Sequence, residues 1–125
     1  MIVDTGPLVA AANRADPRSG DCQKVLREAD GPLIVPALVV AEVGFLIERD
    51  LGTTAEARFL RSLTHPRFRV EQLGTSDLRR MADLVEQYAD LPLGTTDVSA
   101  VTLTERMNDV SVAAIVFANP IPHKV

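Results

Sequence analysis

The sequence has one cysteine, no tryptophan and two histidines among its 125 residues. Without a partner for Cys22, no internal disulfide framework and no multi-cysteine metal site can be built, and a reducing, cytoplasmic setting is expected. His65 stands in a His-Pro turn and His123 near the C-terminus, so neither has a partner spaced for a zinc site or a catalytic triad. Long apolar runs are missing too. Ala37 to Val40 and Val112 to Ala118 fall far short of the roughly 20 residues that span a bilayer, so no membrane partner is expected. The opening Met1-Ile2-Val3-Asp4 does not read as a basic and apolar export leader. An excess of positive charge is absent as well: the net charge of −4 argues against a generally basic nucleic-acid surface. Any such contact would be local, with Arg58, Arg61, Arg67, Arg69, Arg79 and Arg80 as candidates. The alternative for most of these is an ordinary solvated helix face.

Short apolar strands alternate with helices. Ile2 to Asp4 reads as a buried strand, and Thr5-Gly6-Pro7 turns it into a helix beginning near Pro7. Asp16-Pro17 breaks that helix; Ser19 is expected to cap a second one running to about Glu28, which Asp30-Gly31-Pro32 stops. Leu33 to Val35 is the second strand, and Pro36 opens a helix through about Arg49. Gly52 separates it from a helix at Thr53, where Glu56 suggests a capping box. After His65-Pro66, Phe68 to Glu71 forms a third strand and Gly74-Thr75 leads into a helix to about Ala89. The turn Leu91-Pro92-Leu93-Gly94 precedes a helix from Thr96 to Met107, and a strand from Ser111 to Phe117 completes the pattern. This order predicts a three-layer α/β fold with a mainly parallel central sheet covered on both faces. No repeat or linker divides the chain, so residues 1–125 are expected to form one domain, with 118–125 an irregular tail.

Against this apolar background three carboxylates stand apart: Asp4, Glu42 and Asp97. The helical neighbours of Glu42 at three and four residues on either side are Leu38, Val39, Phe45 and Leu46, all apolar, so its side chain is expected to point toward the core or a cleft. Asp4 ends a strand, and in open parallel sheets ligands bind beyond the carboxyl ends of the strands; the plainer reading of Asp-Thr-Gly-Pro is a turn or helix cap. Asp97 falls in the first turn of its helix, where backbone donors favour a carboxylate for structural reasons as well. Converging carboxylates repel one another, and magnesium or manganese is the usual compensation. Such an ion can lower the pKa of bound water and stabilise charge developing on phosphorus, which makes phosphodiester hydrolysis the supported chemistry.

The segments Ile2-Val3-Asp4-Thr5, Val39-Val40-Ala41-Glu42-Val43 and Leu93-Gly94-Thr95-Thr96-Asp97-Val98-Ser99 resemble the PIN-domain ribonucleases, in particular the VapC toxins of bacterial toxin–antitoxin pairs. The resemblance runs from Met1 to about Ala114. It implies a PIN-like fold, a magnesium- or manganese-dependent endoribonuclease acting on RNA, homodimerisation, and neutralisation by a cognate VapB-type antitoxin in a heterotetramer or larger complex. By position it assigns Asp4, Glu42 and Asp97 to catalysis and the metal, with Thr5 and Thr96 in support.

One departure separates this chain from the family. Such toxins usually carry a fourth acid just after the strand that follows the Asp97 helix, whereas Val112 to Pro120 holds none, Asp109 precedes the strand, and Asn119 offers only a neutral oxygen. A second reading therefore stands beside the enzyme: a catalytically impaired module of the same fold, retained for antitoxin binding or dimerisation. Other chemistries are set aside. Asp-Thr-Gly invites a phosphotransfer reading with Asp4 as nucleophile, but the second acid that reading needs is absent at Gly6. Lys24 and Lys124 do not match the late lysine of a response-regulator receiver, no Gly-rich phosphate loop is present, and Asp90 reads as a helix-end residue in preference to one supporting a metal ligand.

Overall fold

A computed structural model describes residues 1–107, in the order α1 (Thr5–Ala12), α2 (Ser19–Glu28), β1 (Leu33–Pro36), α3 (Ala37–Leu51), α4 (Thr53–Ser62), β2 (Phe68–Glu71), α5 (Thr75–Gln87) and α6 (Thr95–Met107). The expected strand at Ser111 to Phe117 and the tail at 118–125 lie outside the described residues.

β1 pairs in parallel with β2, Leu33 opposite Phe68 and Pro36 opposite Glu71. On the other side of β1 the opening segment contributes a single parallel bridge, Ile2 to Ile34. Two bonds hold it: Val3 N–H donates to the Ile34 carbonyl at 2.9 Å, and Ile34 N–H donates to the Met1 carbonyl at 2.8 Å. The expected strand Ile2 to Asp4 is thus shorter than its apolar character suggested, because Asp4 already turns the chain into α1.

Side-chain alternation along these segments builds two cores. Val3, Leu33 and Val35 face one way and pack with Leu8, Leu26, Val39, Val43, Ile47 and Phe59 from α1, α2, α3 and α4. Ile2 and Ile34 face the other way, onto Leu103 of α6. All four β1 residues are buried, as expected of a parallel strand covered on both faces. Met81 and Leu84 of α5 close a third cluster with Val98 of α6. Helix, sheet, helix is the predicted layering, and the described residues follow it.

The helix starts depart from the sequence reading in three places. α1 starts at Thr5, two residues early, because Asp4 is its N-cap and Pro7 fits the third helical position, whose N–H would lack an acceptor in any case. Ser19 is the first residue of α2 and does not cap it: its hydroxyl donates to the Ala11 carbonyl at 3.4 Å, while Asp16 Oδ1 accepts from Arg18 N–H at 2.7 Å. The Thr53–Glu56 capping box does not form either. Gly52 is the cap, at a φ of 93° that favours glycine, and Glu56 Oε2 lies 3.6 Å from where a Cβ on Gly44 of α3 would stand. Cys22 is fully buried in α2, and burial pushes its thiol above the ordinary pKa.

Candidate active site

Asp4 and Pro36 end neighbouring parallel segments, and each leads directly into a helix, α1 and α3 respectively. The carboxyl edge of the sheet therefore delivers Asp4 as a helix cap and Glu42 one and a half turns into α3, which packs on α1. Asp4 is 8% exposed, and its Oδ1 accepts from the Thr5 N–H at 2.7 Å. The Thr5 hydroxyl in turn donates to Glu42 Oε2 at 3.1 Å. One buried threonine thus joins both carboxylates, with its backbone turned to one and its side chain to the other.

Glu42 is half-buried and does not point into the core. Of its four apolar neighbours only Val39 is buried; Leu38 and Leu46 are half-buried and Phe45 is 63% exposed. The helix face that reads as uniformly apolar runs out of the core at Phe45, which is what lets Glu42 reach the rim. Asp97 lies in the first turn of α6, half-buried, with its Oδ2 3.5 Å from where a Cβ on Gly94 would be. α6 touches both α3 and β1, so Asp97 belongs to a helix packed beside the one that bears Glu42. Thr96 is half-buried next to it, and its carbonyl accepts from the Ser99 hydroxyl at 2.6 Å.

The donor set is all oxygen, which suits a hard divalent cation. The described arrangement brings Asp4, Thr5 and Glu42 together but does not gather all three acids: among the described residues no three His, Cys, Asp or Glu side chains form a group that could hold one metal ion. Asp109 and Asn119 lie outside the described residues.

The described geometry extends over the whole stretch matched by a family model, the PIN domain, except for its last seven residues: the match covers residues 1–114. The chain belongs to the PIN domain family. Ribonuclease VapC26 of Mycobacterium tuberculosis is 29% identical to this PIN domain over 106 residues, which are 85% of this chain and 78% of that protein. The crystal structure of M. tuberculosis VapC20, a sarcin-ricin loop cleaving toxin, superposes with a TM-score of 0.84 at 16% identity, covering 89% of this chain and 85% of that one. The second likeness shows the fold.

Several other residues weighed in the sequence find structural duties in this PIN domain. His65 Nδ1 accepts from the Arg67 N–H at 3.0 Å within its turn. Of the six arginines proposed as a patch, Arg67 donates to the carbonyls of Arg27, Ala29 and Gly31, Arg69 pairs with Glu71 and Arg80 with Glu105. Arg58, Arg61 and Arg79 are exposed. Asp90 is exposed beyond the end of α5.

Sequence reasoning missed Asp77, which at 4% exposure is more buried than Asp4. Its signal was the spacing Gly74-Thr75-Ser76-Asp77, since Asp77 Oδ2 accepts from the Gly74 N–H at 2.8 Å as the N3 residue of a capping box.

Replacing Thr5 by valine keeps the shape of the side chain and removes the donor to Glu42. Urea unfolding is expected to show a loss of about 1 kcal/mol, the net worth of one such hydrogen bond; no loss would mean that Glu42 is held by something other than Thr5.

Proposed function

We propose that this PIN domain is a metal-dependent endoribonuclease, the toxin of a toxin–antitoxin pair, which hydrolyses RNA phosphodiester bonds and is neutralised by a cognate VapB-type antitoxin. The observation that carries the reading is the Asp4–Thr5–Glu42 connection at the carboxyl edge of two neighbouring parallel segments. It is supported by the relatives, one named a ribonuclease and the other described as a toxin that cleaves the sarcin-ricin loop.

Asp4, Glu42 and Asp97 would hold magnesium or manganese through carboxylate oxygens, and the ion when bound supplies the positive charge that offsets a phosphodiester in its transition state. The chain's own part is to place that charge. Thr5 orients both carboxylates, directing its hydroxyl proton at Glu42 Oε2 and its amide proton at Asp4 Oδ1. Thr96 belongs to the turn that presents Asp97. In hydrolysis a P–O bond forms to water as the bond to the leaving sugar oxygen breaks, and no Ser, Cys or His nucleophile is required. The chain is expected to pair with itself, for which the exposed Phe45 and Leu78 offer apolar surface. Among the described residues no helix is long and apolar enough to cross a membrane.

A second reading rests on the sequence beyond Asp109, which contains no aspartate or glutamate. There the fold is retained for antitoxin binding or dimerisation and catalysis is lost.

Incubating the purified full chain with a mixed RNA pool in magnesium, manganese or EDTA separates the two. The enzyme reading expects fragments with either metal and none with EDTA. Intact RNA in all three, with protein shown to be folded by circular dichroism, would transfer the assignment to the binding module.

A further inference from the structure

α6 carries Asp97 in its first turn and Arg106 in its last. The Arg106 guanidinium donates from Nε to Asp77 Oδ1 at 3.0 Å and from Nη2 to the Gln72 carbonyl at 3.2 Å, with Glu71 Oε2 at 3.5 Å. The Asp77 side chain is 5% exposed, and its second oxygen already caps α5 through Gly74. A single buried carboxylate therefore starts one helix and receives the end of another.

A second link runs in the opposite sense. Arg80 of α5 grips Glu105 of α6 with two parallel bonds, Nε to Oε1 at 2.9 Å and Nη2 to Oε2 at 3.0 Å, and this guanidinium holds the Glu105 carboxyl below its usual pKa. Both partners of that pair are more than two-fifths exposed, so it contributes little by itself. Arg106 and Asp77 differ. Removing the guanidinium would leave a buried carboxylate without its charge partner, which makes this contact costly to break.

The nine residue steps from Asp97 to Arg106 span about 13 Å of helix, stiff enough that a tilt at one end is delivered at the other. Along this length α6 packs Val98 against Met81 and Leu84 and seats Leu103 on Ile2 and Ile34, so rotating it would move Asp97 against the segment that ends in Asp4. We propose that Arg106 and Asp77 are a positioning pair for the acidic site: their contact fixes the setting of α6 and hence the place of Asp97 relative to Asp4 and Glu42. This rests on the role given above to Asp97.

The test compares the full-length protein with Arg106→Met and Arg106→Lys, and with Arg49→Met as a control that breaks an exposed pair on α3. Amide NMR shifts and hydrogen exchange over residues 95–100 report the setting of α6, and water-proton relaxation reports Mn2+ affinity, each measured well below the unfolding midpoint. Arg106→Met is expected to move the 95–100 signals and weaken Mn2+ binding about tenfold, as loss of a residue supporting a metal ligand does. Arg106→Lys, keeping one charged donor but not the fork, should recover part of that loss, and Arg49→Met should match wild type. If Arg106→Met loses stability while its 95–100 signals and Mn2+ affinity stay at wild-type values, the pair is purely structural and the proposal is overturned. Should Arg106→Met fail to fold, Arg106→Lys against wild type decides by the same readouts. Wild-type protein that binds no Mn2+ would sink the metal reading, and the amide signals would still decide whether Arg106 sets α6.

Discussion

Asp4→Asn is expected to lower RNA cleavage on the order of a hundredfold or more and to leave the unfolding midpoint nearly where it was. On the proposed reading the rate follows from removing one of the anionic groups that would hold the metal, an effect of about 3 kcal/mol or more on the transition state at about 1.4 kcal/mol per factor of ten. The unchanged stability follows from the other duty of Asp4. Its Oδ1 accepts from Thr5 N–H at the start of α1, and asparagine is as good an N-cap as aspartate, with a carbonyl oxygen able to take the same bond. Removing the charge also relieves repulsion with Glu42 on the far side of Thr5. Asp4→Ala loses both duties and should unfold about 1 kcal/mol more easily as well as being inactive. Cleavage rates and thermal melts of the two variants side by side therefore separate chemistry from capping. Wild-type cleavage by Asp4→Asn would reduce Asp4 to a helix cap.

The largest expected effect on stability is at Leu103, which is fully buried between α6 and the sheet, against Ile2 and Ile34. Leu103→Ala removes packed methyl groups and opens a cavity beneath the segment that carries Asp4, at a cost of about 3 kcal/mol. Urea titration should show an earlier midpoint with an unchanged slope, because the surface exposed on unfolding is nearly the same. A change under about 1 kcal/mol would mean that α6 does not close this face of the sheet as a packed layer.

Much of this was legible beforehand, for identifiable reasons. Phe68–Glu71 was placed to the residue because His65-Pro66 and the following glycine bound it, and the two-faced burial of β1 was implicit in its unbroken run of apolar side chains. The order of strands and helices, and with it the PIN-like layering, needs only such local punctuation. What stayed hidden depends on partners distant in sequence. Ser19 and Glu56 obey local capping rules on paper, yet Ser19 turns to a carbonyl of α1 and Glu56 lies beside α3. No periodicity reveals that.

The candidate site divides in the same way. Asp4, Glu42 and Asp97 stood out because carboxylates among apolar residues need a cation or a donor. The rule selected residues correctly as buried or half-buried, but it could not foresee that Thr5 would be the shared donor to two of them. It also passed over Asp77, whose burial is satisfied by a backbone amide and a guanidinium 29 residues away. The apolar helical neighbours of Glu42 pointed its side chain toward the core or a cleft, yet one of them, Phe45, stands in solvent. Sequence spacing gives the face of a helix but not how far the rest of the molecule extends to cover it.

Cys22, set aside at first for lacking a partner, gives the protein a built-in chemical clock. A thiol with no exposed surface and a pKa raised by burial reacts with a soluble disulfide only after the packing around α2 opens. Under conditions where reclosing outruns the reagent, the labelling rate measures the free energy of that opening rather than of global unfolding. α2 packs on α1, the helix that Asp4 caps, so one cysteine reports, without any engineered probe, how firmly that pair of helices is held.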